Sequence, residues 1–206
     1  MSKIKLYNIS KSYKNKTVLK DVTIEFNSNN IYMIVGGNGS GKSTLLKIII
    51  GLIKPDYGKV EKDKLKIGYV PERYLLPEYI KIKEYLYILG SIRKVNKNIL
   101  NKRIDELLKE WELYDVKEYK LKQLSKGMLQ KVVILQALIH DPDVYIFDEA
   151  LNGLDIKMQE KLIKCIYNLK QNNKIIIITS HYPKMYEEFV DIVYEIDNFN
   201  LKSYCD

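Results

Sequence analysis

The nine residues Gly36–Thr44, GGNGSGKST, constrain this chain more than any other stretch. They follow an apolar run, Ile31-Tyr32-Met33-Ile34-Val35, and precede Leu45, Leu46, Ile48 and Ile49, which have helical spacing. Strand, glycine-rich loop, Lys-Ser-Thr and helix, in that order, is the context in which a GxxxxGK[ST] string marks a phosphate site. Gly36, Gly39 and Gly41 permit dihedrals that other residues resist, so successive N–H groups, those of Gly37, Asn38 and Ser40 among them, can curl around phosphate oxygens. A helix starting near Lys42 aims its positive dipole end at the same anion. Lys42 is then expected to reach the β- and γ-phosphates and Ser43 to ligate Mg²⁺, with Thr44 beside it. The plain alternative is a glycine turn joining a strand to a helix. The full string in its setting favours a nucleoside triphosphate site.

A chain of 206 residues suits one sizeable domain with room for an inserted subdomain. No apolar run approaches the ~20 residues that cross a bilayer, and the start, MSKIKLYNIS, alternates polar and apolar residues. The expectation is a cytoplasmic chain whose membrane link comes through a partner. Cys165 and Cys205 lack metal spacing and read as reduced thiols. The net charge of +8 is uneven, with +7 over residues 1–80, +6 over 81–131 and −5 over 132–206. No basic run is interleaved with stacking aromatics, so nucleic acid is not expected as a partner.

Along the chain, Ile4, Leu6 and Ile9, then Val18, Val22, Ile24 and Phe26, predict two strands with a turn at Lys14-Asn15-Lys16 and Tyr13 between them. The helix after the glycine loop ends near Gly51. Residues Pro55–Gly58 read as a turn and Ile67–Val70 as a strand. Helical spacing then takes over: Ile82, Tyr85, Leu86, Leu89; Ile99, Ile104, Leu107, Leu108, Trp111; and, after a Ser125 N-cap, Val132, Leu135, Leu138. From Val144 the α/β pattern resumes: strand Val144–Phe147, helix Ile156–Leu169 capped by Asp155, strand Ile175–Thr179, a short helix near Pro183–Phe189, and strand Ile192–Ile196. This predicts an α/β fold, a mostly parallel sheet covered on both faces, interrupted by an all-helical subdomain. The core is expected over residues 1–76 and 141–206 and the helical subdomain over 77–140, within a single domain.

Asp148 and Glu149 end a buried apolar strand. At the C-terminal edge of a parallel sheet such a pair meets a metal ion and a water beside the phosphate loop. Asp148 would hold the Mg²⁺ shell, and Glu149 would orient or deprotonate the water that attacks the γ-phosphate. The alternative is an acidic turn capping the strand.

Upstream, Leu124-Ser125-Lys126-Gly127-Met128 resembles the LSGGQ signature of ABC-type ATPases, which lies just ahead of the Walker B strand; Lys126 stands 23 residues before Glu149. Leu, Ser and the second Gly are kept, whereas Lys126 replaces the first Gly and Met128 the Gln. The order of the other pieces fits the family along essentially the whole chain. Tyr13 stands where the family stacks an aromatic on adenine, Asn152-Gly153-Leu154-Asp155 where its D-loop follows Walker B, and His181 where its switch histidine ends the next strand. The resemblance implies a P-loop NTPase core with a small antiparallel β subdomain. It also implies a head-to-tail dimer with two ATP molecules at the interface, in which Ser125 and Gly127 of one subunit contact the γ-phosphate held by the other's Lys42, with Asp155 of the D-loop a further nucleotide-binding candidate. Glu72 departs from the family's usual Gln; it keeps the capacity to ligate Mg²⁺ and adds a third carboxylate. The function implied is the ATP-hydrolysing subunit of an ABC transporter, with a separate transmembrane permease. LSKGM with Glu at position 72 looks like exporters of peptides, antibiotics or other small molecules. The rivals are a soluble ABC-type ATPase acting on ribosomes or DNA, and an ATP-binding switch with little turnover.

Overall fold

The computed structural model describes residues 2–14, 16–181 and 183–204. Two sheets organise it. The smaller has the order β2-β1-β4, with β1 at Lys3–Tyr13, β2 at Lys16–Asn27 and β4 at Tyr57–Lys62, all antiparallel. Alternation in β1 and β2 puts Ile4, Leu6, Ile9, Leu19, Val22, Ile24 and Phe26 inside. Tyr13 closes β1 opposite Lys16 and does not lie in a gap between strands; Asn15, in the expected turn, lies outside the described residues.

The expected turn at Pro55–Gly58 instead runs into β4. That strand was illegible because only Val60 is even half-buried; pairing with β1, Val60 opposite Leu6, holds it in place of an apolar pattern. Gly58, at φ +88°, sits where a Cβ would come within 2.3 Å of the Tyr7 carbonyl, so the crossing admits no side chain.

The larger sheet has the order β5-β6-β7-β3-β8-β9, comprising Ile67–Val70, Val144–Asp148, Ile175–Thr179, Ile31–Val35, Ile192–Asp197 and Asn200–Tyr204. The first five are mutually parallel and β9 is antiparallel to β8. β9 has no apolar signature and was not expected. Asn198 and Phe199 both have positive φ, 46° and 68°, the twist a two-residue hairpin turn requires.

Helix α1 spans Lys42–Ile50, α2 Ile82–Ile92, α3 Lys97–Glu110, α4 Lys126–Leu138 and α5 Ile156–Lys170. Near Pro183 there is only a single 3₁₀ turn, Pro183–Tyr186. Strand alternation divides the core in two. Tyr32, Ile34, Val144, Ile146, Ile175 and Ile177 pack against α1 and the small sheet. Ile31, Met33, Tyr145, Phe147, Ile176 and Ile178 pack toward α2–α5. Both faces of the parallel sheet are thereby covered, which is why its central strands are apolar throughout. Cys165 carries a free thiol that burial pushes up to about 12; Cys205 lies outside the described residues. No helix among the described residues is long and apolar enough to cross a membrane.

Helix α3 begins at an Asn96 cap whose Oδ1 accepts from the Asn98 N–H at 2.9 Å. Asn96→Ala is expected to lower unfolding free energy by about 1 kcal/mol, read from the shift of a urea transition at constant slope.

Candidate functional site

The parallel strands β3 and β6 deliver their C-terminal ends to one edge of the sheet, with α1 starting directly above β3. Gly36 has φ +150° and no space for a side chain: a Cβ would meet Ser40 Oγ at 2.6 Å and the Ile196 carbonyl at 2.7 Å. Gly41, at φ +111°, caps α1, and a Cβ there would come within 2.9 Å of the Val18 carbonyl. Gly39 turns the loop at φ +75°. Lys42, the first residue of α1, is 9% exposed and folds its ammonium back on the loop, donating to the carbonyls of Gly36 at 2.7 Å and Gly37 at 3.1 Å. Among the described residues no carboxylate lies within ion-pairing distance of it. A desolvated cation on a ring of main-chain groups at a helix N-terminus is built to take an anion.

At the end of β6, Asp148 is 2% exposed. One oxygen accepts from the Thr179 hydroxyl at 2.7 Å and the other from the Tyr69 hydroxyl at 3.2 Å. Both hydroxyls come from neighbouring strands, Thr179 directly opposite Asp148 in β7 and Tyr69 in β5. The chain then turns sharply: Glu149 has φ +54°, and its N–H reaches the Thr179 carbonyl at 3.2 Å and hydroxyl at 3.1 Å. The Glu149 carboxylate, 4% exposed, accepts from the His181 main-chain N–H at 2.9 Å through Oε2. Its Oε1 has no hydrogen bond and lies 3.5 Å from His181 Nε2. Desolvation raises the Glu149 carboxyl above the usual carboxylate range, against the pull of His181 and Lys42. That suits a group meant to receive a proton.

A cleft of about 250 Å³ joins these pieces, lined by residues 38–44 with Tyr13, Val18, Glu72, Asp148, Glu149 and His181. Gly36 and Gly37 underlie it, through their carbonyls on Lys42. Tyr13 is 43% exposed at its rim, with the Lys11 ammonium 5.6 Å from its ring centre. Ser125, Gly127 and Asp155 are not in the cleft. They form a separate surface: Ser125 caps α4 by accepting from Met128 N at 3.2 Å, and Asp155 caps α5 by accepting from Met158 N at 2.9 Å. Gly127, in the first turn of α4, lies close under the Gly153 carbonyl, 2.9 Å from where a Cβ would stand, so the start of α4 and the Asn152–Asp155 turn are packed together without room for a side chain.

Thr179 and Tyr69 were missed as partners of Asp148, since only strand register brings them there; Val18 was missed as a cleft wall. Thr179→Val keeps the shape but leaves Asp148 Oδ1 and the Glu149 turn without the hydroxyl. It is expected to cost about 1–3 kcal/mol of stability, measured by denaturant unfolding.

The sequence model of one protein family, described as ABC transporter, matches residues 19–152. An uncharacterised ABC transporter ATP-binding protein of Methanocaldococcus jannaschii is 36% identical over 191 residues, covering 93% of this chain and 72% of its own. The zinc import ATP-binding protein ZnuC of Rickettsia prowazekii is 36% identical over 182 residues, covering 86% and 76%. Among solved structures, an ATP-binding subunit of an ABC transporter superposes with TM-score 0.92 at 27% identity, covering 98% of this chain and 89% of that one. The dimeric ATP-binding cassette MJ0796, in a post-hydrolysis state bound to ADP and Pi, gives 0.89 at 26% identity, covering 98% of each.

Proposed function

The chain belongs to the ABC transporter family as an ATP-hydrolysing, ATP-binding subunit, and from that premise we propose that two copies close head to tail around two ATP molecules to drive a separate transmembrane permease. One observation carries the reading. Lys42, Ser43, Asp148, Glu149 and His181 share one cleft, while Ser125, Gly127 and Asp155 are held on a different surface of the same chain. A single copy therefore holds two complementary halves of a site that only a second copy completes.

In this reading main-chain N–H groups of residues 37–41 and the Lys42 ammonium grip the β- and γ-phosphates, and Tyr13 stacks on the base. Glu149, its Oε1 free, orients and deprotonates the attacking water; His181 contacts the γ-phosphate. Ser125, with the N–H groups at the start of α4, seals the phosphate from the partner side. Most of the rate gain comes from positioning and charge neutralisation.

Mg²⁺ fits the donor set. The Ser43 hydroxyl and the Asp148 carboxylate line the same cleft, hard oxygens of the kind that hold this ion by one or two protein ligands plus phosphates. Ser43 and Asp148 would hold it, with Glu72 at the rim, and when bound it would neutralise charge developing on the phosphates. Glu72→Gln is expected to flatten the Mg²⁺ dependence of hydrolysis; an unaltered dependence in a magnesium titration removes Glu72 from the metal set.

The helical segment 77–140 and the loop after Glu72 pass closure to the permease, and this places the chain on the inner face of the cell membrane. Leu75 and Tyr79 stand exposed beside that loop, at 101% and 68%, as an apolar contact for it. Export of a small molecule or peptide is the direction that Leu124–Met128 and Glu72 suggest. Import is the second reading, favoured by relatives named for zinc import. Uptake into inside-out vesicles carrying the permease reports the direction.

The shared-site proposal is tested by mixing. Lys42→Ala and Ser125→Ala proteins are each expected to hydrolyse ATP poorly alone, and mixing them is expected to restore turnover through dimers with one intact composite site. No recovery on mixing overturns the head-to-tail arrangement.

A further inference from the structure

We propose that Lys126 of one copy supplies the counter-charge to Glu72 in the nucleotide cleft of a second copy, so that two copies of this same chain are electrostatically matched partners. This rests on the head-to-tail reading above and adds to it a specific ion pair across the interface.

The cleft carries a charge excess of its own. Glu72, Asp148 and Glu149 line it against one ammonium, that of Lys42. Lys11, whose ammonium lies over the Tyr13 ring at the rim, is engaged with Asp56 at 2.6 Å. A triphosphate brings more negative charge than one Mg²⁺ offsets, and closing a second protein surface over the cleft lowers the local dielectric and strengthens every repulsion inside. Asp148 is tied to two hydroxyls and Glu149 to the His181 main chain. Glu72 is exposed at the rim, with no hydrogen bond or ion pair among the described residues. Of the carboxylates around the proposed metal site, it is the one an incoming cation can reach from outside the cleft.

The opposite surface carries the matching excess. Lys126 follows Ser125 directly and is exposed. Among the described residues no carboxylate lies within ion-pairing distance of it. The acidic group on that surface, Asp155, is committed to capping α5 through Met158 N. The Lys126 stem is not loose. Its Cγ, Cδ and Cε run 3.7, 3.9 and 3.6 Å from the position a Cβ would take on Gly153, so the chain lies along the Asn152–Asp155 loop. Gly153 leaves the room: with φ +82° it disfavours any side chain there. Packing the stem reduces the rotamer freedom lost when the ammonium docks. In the proposed dimer this pre-laid, unpaired ammonium is the neighbour of the serine that faces the partner's phosphate. The unpaired carboxylate and the unpaired ammonium thus sit on the two surfaces that the dimer brings together.

The test uses the full chain bearing Glu149→Gln, with MgATP, and reads the monomer–dimer equilibrium by sedimentation. Adding Lys126→Ala is expected to weaken ATP-driven dimerisation roughly tenfold or more, because each dimer contains the contact twice. Lys126→Arg is expected to retain most of it, and raising salt from about 0.05 to 0.5 M to shrink the difference. In a Glu72→Gln background the Lys126→Ala effect is expected to fall to within about twofold, the coupling a double-mutant cycle isolates. Fluorescent-ATP binding below the dimerisation range, at Mg²⁺ saturating for each variant, shows whether each variant's own cleft is intact and keeps any metal effect of Glu72→Gln out of the cycle. A parent dimer indifferent to Lys126→Ala, an effect unchanged by Glu72→Gln, or an equal loss of nucleotide binding by the monomer overturns this proposal alone. A parent that forms no ATP-dependent dimer overturns the head-to-tail reading, and this inference with it.

Discussion

Replacing Glu149 by glutamine is expected to slow ATP hydrolysis by about two to four orders of magnitude while leaving ATP bound. The amide keeps the shape of the carboxylate and can still accept from the His181 N–H, so the loop stays in place. What it loses is the ability to take a proton at Oε1, the buried oxygen without a hydrogen bond. The same change is expected to raise thermal stability at neutral pH. Burial lifts the folded-state pKa of Glu149 above its unfolded value. The folded protein therefore holds that proton more tightly, and stability falls as pH rises through the unfolded and then the folded value. The penalty is fully present above the folded pKa and absent below the unfolded one, where the melting temperatures of the two proteins should converge. Hydrolysis by the parent should fall off on the acid side at a pH above the ordinary carboxylate range, since only the ionised group serves as a base. A glutamine variant with parental turnover would remove Glu149 from the chemistry.

Lys42→Ala is expected to weaken ATP binding by about ten- to hundredfold, the worth of one or two charge-assisted hydrogen bonds, and to reduce hydrolysis further. Equilibrium binding of a fluorescent ATP analogue measures the first and phosphate release the second. Two effects combine. The phosphates lose their cation, and the carbonyls of Gly36 and Gly37 lose the ammonium that tethers the loop. The deletion also removes a positive charge that holds the Glu149 carboxyl down, so the remaining activity should shift its acid limb to higher pH. Parental affinity in the alanine variant would contradict the phosphate-grip assignment.

These two residues were readable because each sits in a contiguous string whose meaning does not depend on distant chain. The glycine loop, its flanking strand and helix, and the Asp148-Glu149 pair all announce themselves within a few residues. The central strands β3, β6 and β7 were equally plain, since burial on both faces writes them as unbroken apolar runs. β4 and β9 left no such mark: partly or fully exposed, they are strands by virtue of a neighbour's free edge. Thr179 and Tyr69 were hidden for a related reason. Each is ordinary in its own strand, and only the alignment of three parallel strands turns their hydroxyls onto one aspartate. The separation of Ser125, Gly127 and Asp155 from the cleft is invisible in one dimension, because their order along the chain gives no distance.

The hydrogen bond that orients the Glu149 carboxylate comes from the peptide amide of His181, while the imidazole lies 3.5 Å from the other oxygen. The ring is thereby left open to a contact of its own, which the proposed function gives to the γ-phosphate. A substitution that exchanges the ring at position 181 would keep the amide that orients the carboxylate; proline alone would take that amide away.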